Sequence, residues 1–189
     1  MAFNAYLVFH SDTGVKGEST SVPEDEAKDA GAIEVSSYGF GVNMVATQGR
    51  SDGGGATTGR ATFDVFTCEK GIDTATTKLV ELCCKGTAIK KAVLHLYRQG
   101  EGSDSGVVKY AMVVFGHCVI TKVGVSGGGD DLPKETLEFN YGVISYYYQA
   151  TDHETGKAVD GKAPDKFGWT TISNKVWAPD QDFATFKPL

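Results

Sequence analysis

The sequence has no surplus of positive charge. Its 18 lysines and arginines face 24 aspartates and glutamates, leaving a net charge of -6. An acidic chain repels phosphate backbones and gains little from anionic lipid, which argues against nucleic-acid binding and against membrane attraction. A long apolar run is also missing. The best stretch, residues 107–120, is broken by Lys109 and His117 and is too short to cross a bilayer. The opening MAFNAYLVFHSDTG has no basic segment ahead of an apolar one, so no signal peptide is read. Cysteine is sparse. Cys68, Cys83, Cys84 and Cys118 form no C-x-x-C pair, and the expectation is four small buried thiols made in a reducing cytosol. The histidines His10, His95, His117 and His153 show no metal-ligand spacing, so neither a metal nor a cofactor is expected.

Glycine and aromatic residues are plentiful. There are 24 glycines in 189 residues, against about 7% in an average protein, with 8 tyrosines and 10 phenylalanines. That mixture predicts many short strands joined by tight turns. Alternation supports a strand over residues 2–9, with Phe3, Ala5, Leu7 and Phe9 on one face. Residues 11–30 read as an exposed loop. Residues 33–45 return to strand, with Tyr38, Phe40, Val42 and Met44 on one side and Gly39 and Gly41 opposite. A long polar loop then spans 47–60, and a strand covers 61–69. The 73–85 segment predicts a single α-helix. Ala75, Leu79, Leu82 and Cys83 recur at helical spacing, Asp73 stands ready to cap, and Gly86 suits the left-handed exit. Further strands are expected over 88–98, 107–115, 117–125 and 134–149. The apolar phase flips at Gly142 in the last of these, predicting a bend there.

The fold expected is therefore mainly β: a compact β-barrel or rolled two-sheet sandwich with one helix and an extended Gly-rich loop. Residues 1–150 form the β-barrel domain. Residues 151–189 differ in composition yet carry Trp169 and Trp177, the only tryptophans, which predicts an extension docked on the barrel or on a neighbouring subunit.

Catalytic motifs fail on context. Gly54 to Gly59 has phosphate-loop spacing, but Arg60 and Ala61 follow where Lys and Ser/Thr are required, and a strand follows rather than a helix. Gly124-Val125-Ser126-Gly127-Gly128 matches G-x-S-x-G, yet glycines, aspartates and Pro133 come next, so a turn is expected instead of a nucleophile elbow. No enzyme is expected.

Five segments in order carry a resemblance. They are Met1-Ala2-Phe3-Asn4-Ala5-Tyr6-Leu7, Ile33-Glu34-Val35-Ser36-Ser37-Tyr38-Gly39-Phe40-Gly41-Val42, Gly53-Gly54-Gly55-Ala56-Thr57-Thr58-Gly59-Arg60, Asp131-Leu132-Pro133-Lys134-Glu135-Thr136 and Leu137-Glu138-Phe139-Asn140-Tyr141-Gly142. Together, with Gly168-Trp169 and Asn174-Lys175 near the end, they resemble the Hcp family (hemolysin-coregulated proteins), tube subunits of type VI secretion systems. The resemblance implies a homohexameric ring. Rings stack into a hollow tube inside a contractile sheath, with spike and baseplate components as partners and effector proteins carried in the lumen. It implies a chain that is cytoplasmic before firing and secreted afterwards, without membrane insertion. It also assigns contacts within and between rings to the early loop, here Gln48, Gly49, Arg50, Ser51, Asp52, Gly53, Gly54, Gly55, Thr57 and Thr58. The alternatives are a tube subunit of another contractile injection machine, a monomeric ligand- or glycan-binding β-barrel, and a hydrolase acting through Ser126.

Overall fold

Alternation sets the first strand. The computed structural model describes residues 4–10, 13–20, 31–46, 58–99, 107–129, 131–152, 159 and 163–179. In strand β1 (Asn4–His10), Ala5, Leu7 and Phe9 enter the main core. Tyr6 and Val8 point the other way and are equally buried, in a second cluster with Ala32 and Tyr97. Separate clusters cover its two faces, and both edges are paired: β1 lies between β2 (Ile33–Val35) and β7 (Ala88–Gln99), antiparallel to both.

The remaining strands are β3 (Ser37–Gly39), β4 (Val42–Ala46), β5 (Thr58–Phe63), β6 (Phe66–Gly71), β8 (Val107–Gly128), β9 (Asp131–Asn140), β10 (Val143–Tyr148), β11 (Asp165–Thr170) and β12 (Lys175–Val176). Ten strands form one sheet, running β12-β11-β10-β8-β7-β1-β2, with a branch from β8 through β9 and β6 to β3. β4 and β5 form a separate two-stranded sheet. The large sheet rolls on itself, because β2 and β3 are divided only by Ser36 yet pair with opposite ends of the roll. Ser36 marks the join: its N–H and its hydroxyl both donate to the Glu69 carbonyl, at 2.8 and 3.0 Å. The ladders do not close the sheet into a barrel; chain connectivity brings its ends together.

The separate strands expected over 107–115 and 117–125 are one strand of 22 residues. Its bend falls at the expected boundary, where His117 adopts a left-handed φ of 54°. β10 pairs along residues 111–116 and β9 along 119–128, on the edge of β8 away from β7. The bend expected at Gly142 is present and lies opposite, with the Gly142 N–H donating to the Gly116 carbonyl at 2.9 Å. A Cβ on Gly142 would sit 2.9 Å from Ile172 Cδ1 and 3.3 Å from the His117 Cβ, so the paired bend leaves little room for a side chain.

The helix, α1 (Thr76–Lys85), is close to the expected span. Leu79 and Leu82 are buried, Cys83 packs against the core, and Gly86 takes φ 60° while its N–H returns to the Cys83 carbonyl. No side chain caps the helix at Ala75; Asp73 organises the turn before it, accepting from the Ala75 N–H at 3.0 Å.

Four expectations need correction. The 11–30 loop is not wholly exposed, because Val15 is 4% exposed and joins the core. The alternation of 33–45 breaks after Phe40: Tyr38 and Phe40 pack on the core, but Val42 and Met44 stand out in solvent. They belong to a strand that has left the sheet. The 61–69 strand is likewise two strands, parted at Asp64 and Val65. Of the four thiols, Cys68 and Cys118 are buried, Cys83 is half-buried and Cys84 is exposed, since Cys84 falls one helical step off the buried face.

The core interior is aromatic. Phe66 stacks on Phe139 with ring centres 4.6 Å apart, and Phe115 meets Phe66 at 5.0 Å and Tyr141 at 4.9 Å.

Candidate assembly surfaces

β4 and β5 run in register from Val42 opposite Phe63 to Met44 opposite Ala61, then slip before Ala46 meets Thr58. Neither strand joins the large sheet, so among the described residues the ribbon presents an unpaired edge on each side. Such edges expose rows of N–H and C=O groups that pair readily with another chain. Val42 and Met44 on this ribbon are 59% and 52% exposed. Of the residues assigned to the assembly loop, Gln48, Gly49, Arg50, Ser51, Asp52, Gly53, Gly54, Gly55 and Thr57 lie outside the described residues. Thr58 opens β5.

The ribbon's root is polar outside and aromatic inside. Phe63 meets Tyr141 edge-on with centres 6.4 Å apart, and the Tyr141 hydroxyl donates to the Asp64 carbonyl at 3.0 Å. Burial, with help from Asp64 and Cys118, pushes the Tyr141 phenol up to about 12, so it stays a donor. The Asn43 amide donates to the Asp64 carboxylate at 3.1 Å. Gly41 allows this approach, because a Cβ there would lie 2.6 Å from Asp64 Oδ2. Arg60, read from sequence as the end of a loop, sits in β5 and donates to the carbonyls of Thr171 and Ile172 at 2.8 and 2.6 Å. Beside the ribbon root an apolar hollow of about 380 Å³ is lined by Phe40, Val42, Phe63, Ile144, Tyr146 and Phe167.

The tryptophans sit at the sheet's far edge. β11 pairs with β10 from Thr170 opposite Val143 to Asp165 opposite Tyr148. Trp169 packs against the core, and its indole N–H donates to Asn174 Oδ1 at 3.2 Å. Trp177 is 7% exposed, and its backbone N–H donates to the Gly168 carbonyl at 3.0 Å. A Cβ on Gly168 would fall 2.3 Å from the Trp177 carbonyl oxygen, so only glycine fits beneath it. The Tyr147 hydroxyl donates to the Pro179 carbonyl at 2.5 Å. A second exposed projection is the β8–β9 hairpin, where Val125 and Leu132 face solvent.

A buried ionic cluster was missed from sequence. Lys70 and Glu135 stand directly opposite each other in the β6–β9 ladder, and both side chains are 0% exposed. The Lys70 ammonium lies 3.1 Å from Glu135 and 2.7 Å from Asp73, and donates to the Gly71 carbonyl at 2.9 Å. The Thr76 hydroxyl donates to Glu135 at 2.5 Å. The signal was available: Lys70 shares the inward phase of Phe66 and Cys68, and Glu135 that of Leu137 and Phe139. The cluster ties the start of α1 to two strands.

Little here favours nucleophilic chemistry. Burial pushes the Cys68 thiol up to about 12 and raises Cys118 as well, which keeps both protonated. Ser126 lies on the exposed end of β8 opposite Lys134, with a strand rather than a helix after the turn. No group of histidine, cysteine, aspartate and glutamate among the described residues could hold a metal ion. No helix among them is long and apolar enough to cross a membrane.

Among the described residues, the class is that of a mainly β-protein: a rolled sheet carrying one helix and a separate two-stranded ribbon. The family model described as "Type VI secretion system effector, Hcp" matches residues 6–148. The chain belongs to the Hcp family. The structure of a type six secretion system protein is 30% identical, with a TM-score of 0.75, covering 92% of this chain and 99% of its own. Hcp1 from Salmonella typhimurium shares the fold at 21% identity and a TM-score of 0.67, covering 94% and 100%. A type VI secretion system effector from Yersinia pestis does so at 18% and 0.60, covering 88% and 99%. No curated protein matches the chain.

Proposed function

We propose that this chain is a structural tube subunit of a type VI secretion system. Six copies close into a ring, rings stack head to tail into a hollow tube, and effector proteins travel in the lumen. Sheath, spike and baseplate components are its partners, and contraction carries it out of the cell. The observation that supports this best, beside family membership, is the β4–β5 ribbon, whose two edges are unpaired among the described residues. A ring needs a heterologous contact that repeats at a closing angle, and a projecting ribbon reaches a neighbour without rearranging the body. The loop from Gln48 to Thr58 makes those contacts through modest polar groups, which suits an assembly that must also come apart. The segment beyond residue 150 acts as an extension held on the body through Trp169 and Trp177. Its working part is a hole, and no catalytic step is assigned to it.

Native mass spectrometry with negative-stain imaging tests the reading. Six copies of a 20.1 kDa chain give about 120 kDa. A strictly monomeric species at high protein concentration defeats it. Gly53→Pro and Arg50→Glu should leave the body folded and reduce ring content; undiminished rings in both remove the role given to the loop.

A further inference from the structure

Three segments meet at the root of the ribbon. β4 and β5 contribute Asn43 and Arg60, with Asp64 just beyond them. The β9–β10 bend contributes Tyr141 and Gly142, and the turn between β11 and β12 contributes Thr171 and Ile172. The links between them form a closed circuit. Tyr141 donates to the Asp64 carbonyl at 3.0 Å, joining bend to ribbon. The Thr171 N–H donates to the Gly142 carbonyl at 2.9 Å, and its hydroxyl lies 3.0 Å from the Tyr141 carbonyl, joining turn to bend. Arg60 completes the circuit from ribbon to turn, because its Nη2 donates to the Thr171 and Ile172 carbonyls at 2.8 and 2.6 Å.

A surface arginine that meets nearby carbonyls usually contributes little. Two features set Arg60 apart. Its partners are 111 and 112 residues away in sequence, so the link is tertiary and not local. The ribbon has no ladder to the large sheet among the described residues, so beyond its short chain connections to β3 and β6 its angle depends on side-chain links and on the packing of Phe63. A charged donor strengthens such a link relative to a neutral one. The turn that receives it is itself held in shape, with Asn174 in the left-handed region at φ 53° and bonded to the Trp169 indole.

We infer that Arg60 is a positioning residue that couples the ribbon's angle to the β11–β12 turn, so that the C-terminal strand pair governs how the ribbon is presented to a second copy of this chain. The inference rests on the ribbon being an assembly element.

The test uses the full chain with Arg60→Ala, read by hydrogen exchange and native mass spectrometry. Amides of β5 should exchange about tenfold faster while those of β7 keep their protection, which certifies an intact fold. The ring fraction at fixed concentration should fall about fivefold or more. Both bonds leave one nitrogen, so the ammonium of Arg60→Lys can make either and should restore part of both signals. Unchanged β5 exchange overturns the inference. Ring loss with unchanged exchange makes Arg60 a direct subunit contact and leaves the assembly reading standing. Faster exchange with undiminished rings overturns it too, because the ribbon's angle then has no bearing on assembly. An unsubstituted chain that forms no rings defeats the assembly reading first, and this inference with it.

Discussion

Helix α1 and the β4–β5 ribbon are attached to the same body in opposite ways. The helix is held from inside: Leu79 and Leu82 are buried, and Lys70, Asp73, Thr76 and Glu135 lock its first turn to two strands in a largely buried site. The ribbon is held by Arg60 in exposed hydrogen bonds to Thr171 and Ile172, by the Tyr141 hydroxyl on the Asp64 carbonyl and, among the described residues, by Phe63 as its apolar root. Buried ion pairs are costly to break and fix a unique geometry; exposed polar bonds are weak and tolerate adjustment. The helix is thus part of the frame, and the ribbon is an appendage tied on by fewer and more exposed contacts.

Substitutions should separate the two. The largest effect is expected at Lys70→Met, which leaves Glu135 and Asp73 facing each other without a cation and should cost about 3–5 kcal/mol in denaturant unfolding. The double variant Lys70→Met/Glu135→Leu should regain part of that loss, because the unpaired charge is gone. A double variant no more stable than the single one would show that shape, and not charge, holds the site together. Gly86→Ala comes next, at about 1–2 kcal/mol, since a Cβ is disfavoured at φ 60°. Met44→Ser on the ribbon should change stability by less than about 0.5 kcal/mol yet lower the ring fraction seen by native mass spectrometry. Equal effects on folding and assembly there would erase the distinction between frame and appendage.

The smallest effect belongs to the helix surface. Lys78 and Lys85 bond to Glu81 and hold its carboxyl down at about 2, below the usual 4.5. A lowered carboxyl stabilises the folded state above its unfolded value and loses that contribution as pH falls from about 4.5 toward 2. Melting curves of Glu81→Gln and the unsubstituted protein should therefore converge over that range, and converge also in high salt, since the group is exposed.

The helix was legible because its signals agree: Leu79 and Leu82 mark one face, and Gly86 supplies the left-handed exit. The Gly142 bend was legible as a change of phase. What escaped depends on partners far away in sequence. The period-2 pattern of Val42 and Met44 looks the same whether a strand lies on the core or leaves it, and only tertiary context tells the two apart. Arg60 was invisible for the same reason, its partners being more than a hundred residues on. Lys70 and Glu135 were readable in principle, as charges occupying inward positions of two strands, but hydropathy treats such residues as surface. Apart from Thr58, the loop proposed for assembly lies outside the described residues, so that proposal rests on family resemblance and on the ribbon beneath it.

β8 constrains how this protein can change over generations. One strand of 22 residues is laddered to β7, β9 and β10, so a single residue inserted or deleted within it would turn inward side chains outward along whichever ladders lie beyond the change. Length differences among its kin should therefore gather in the stretches between strands, and the span from Val107 to Gly128 should keep the same number of residues even where few of its letters survive.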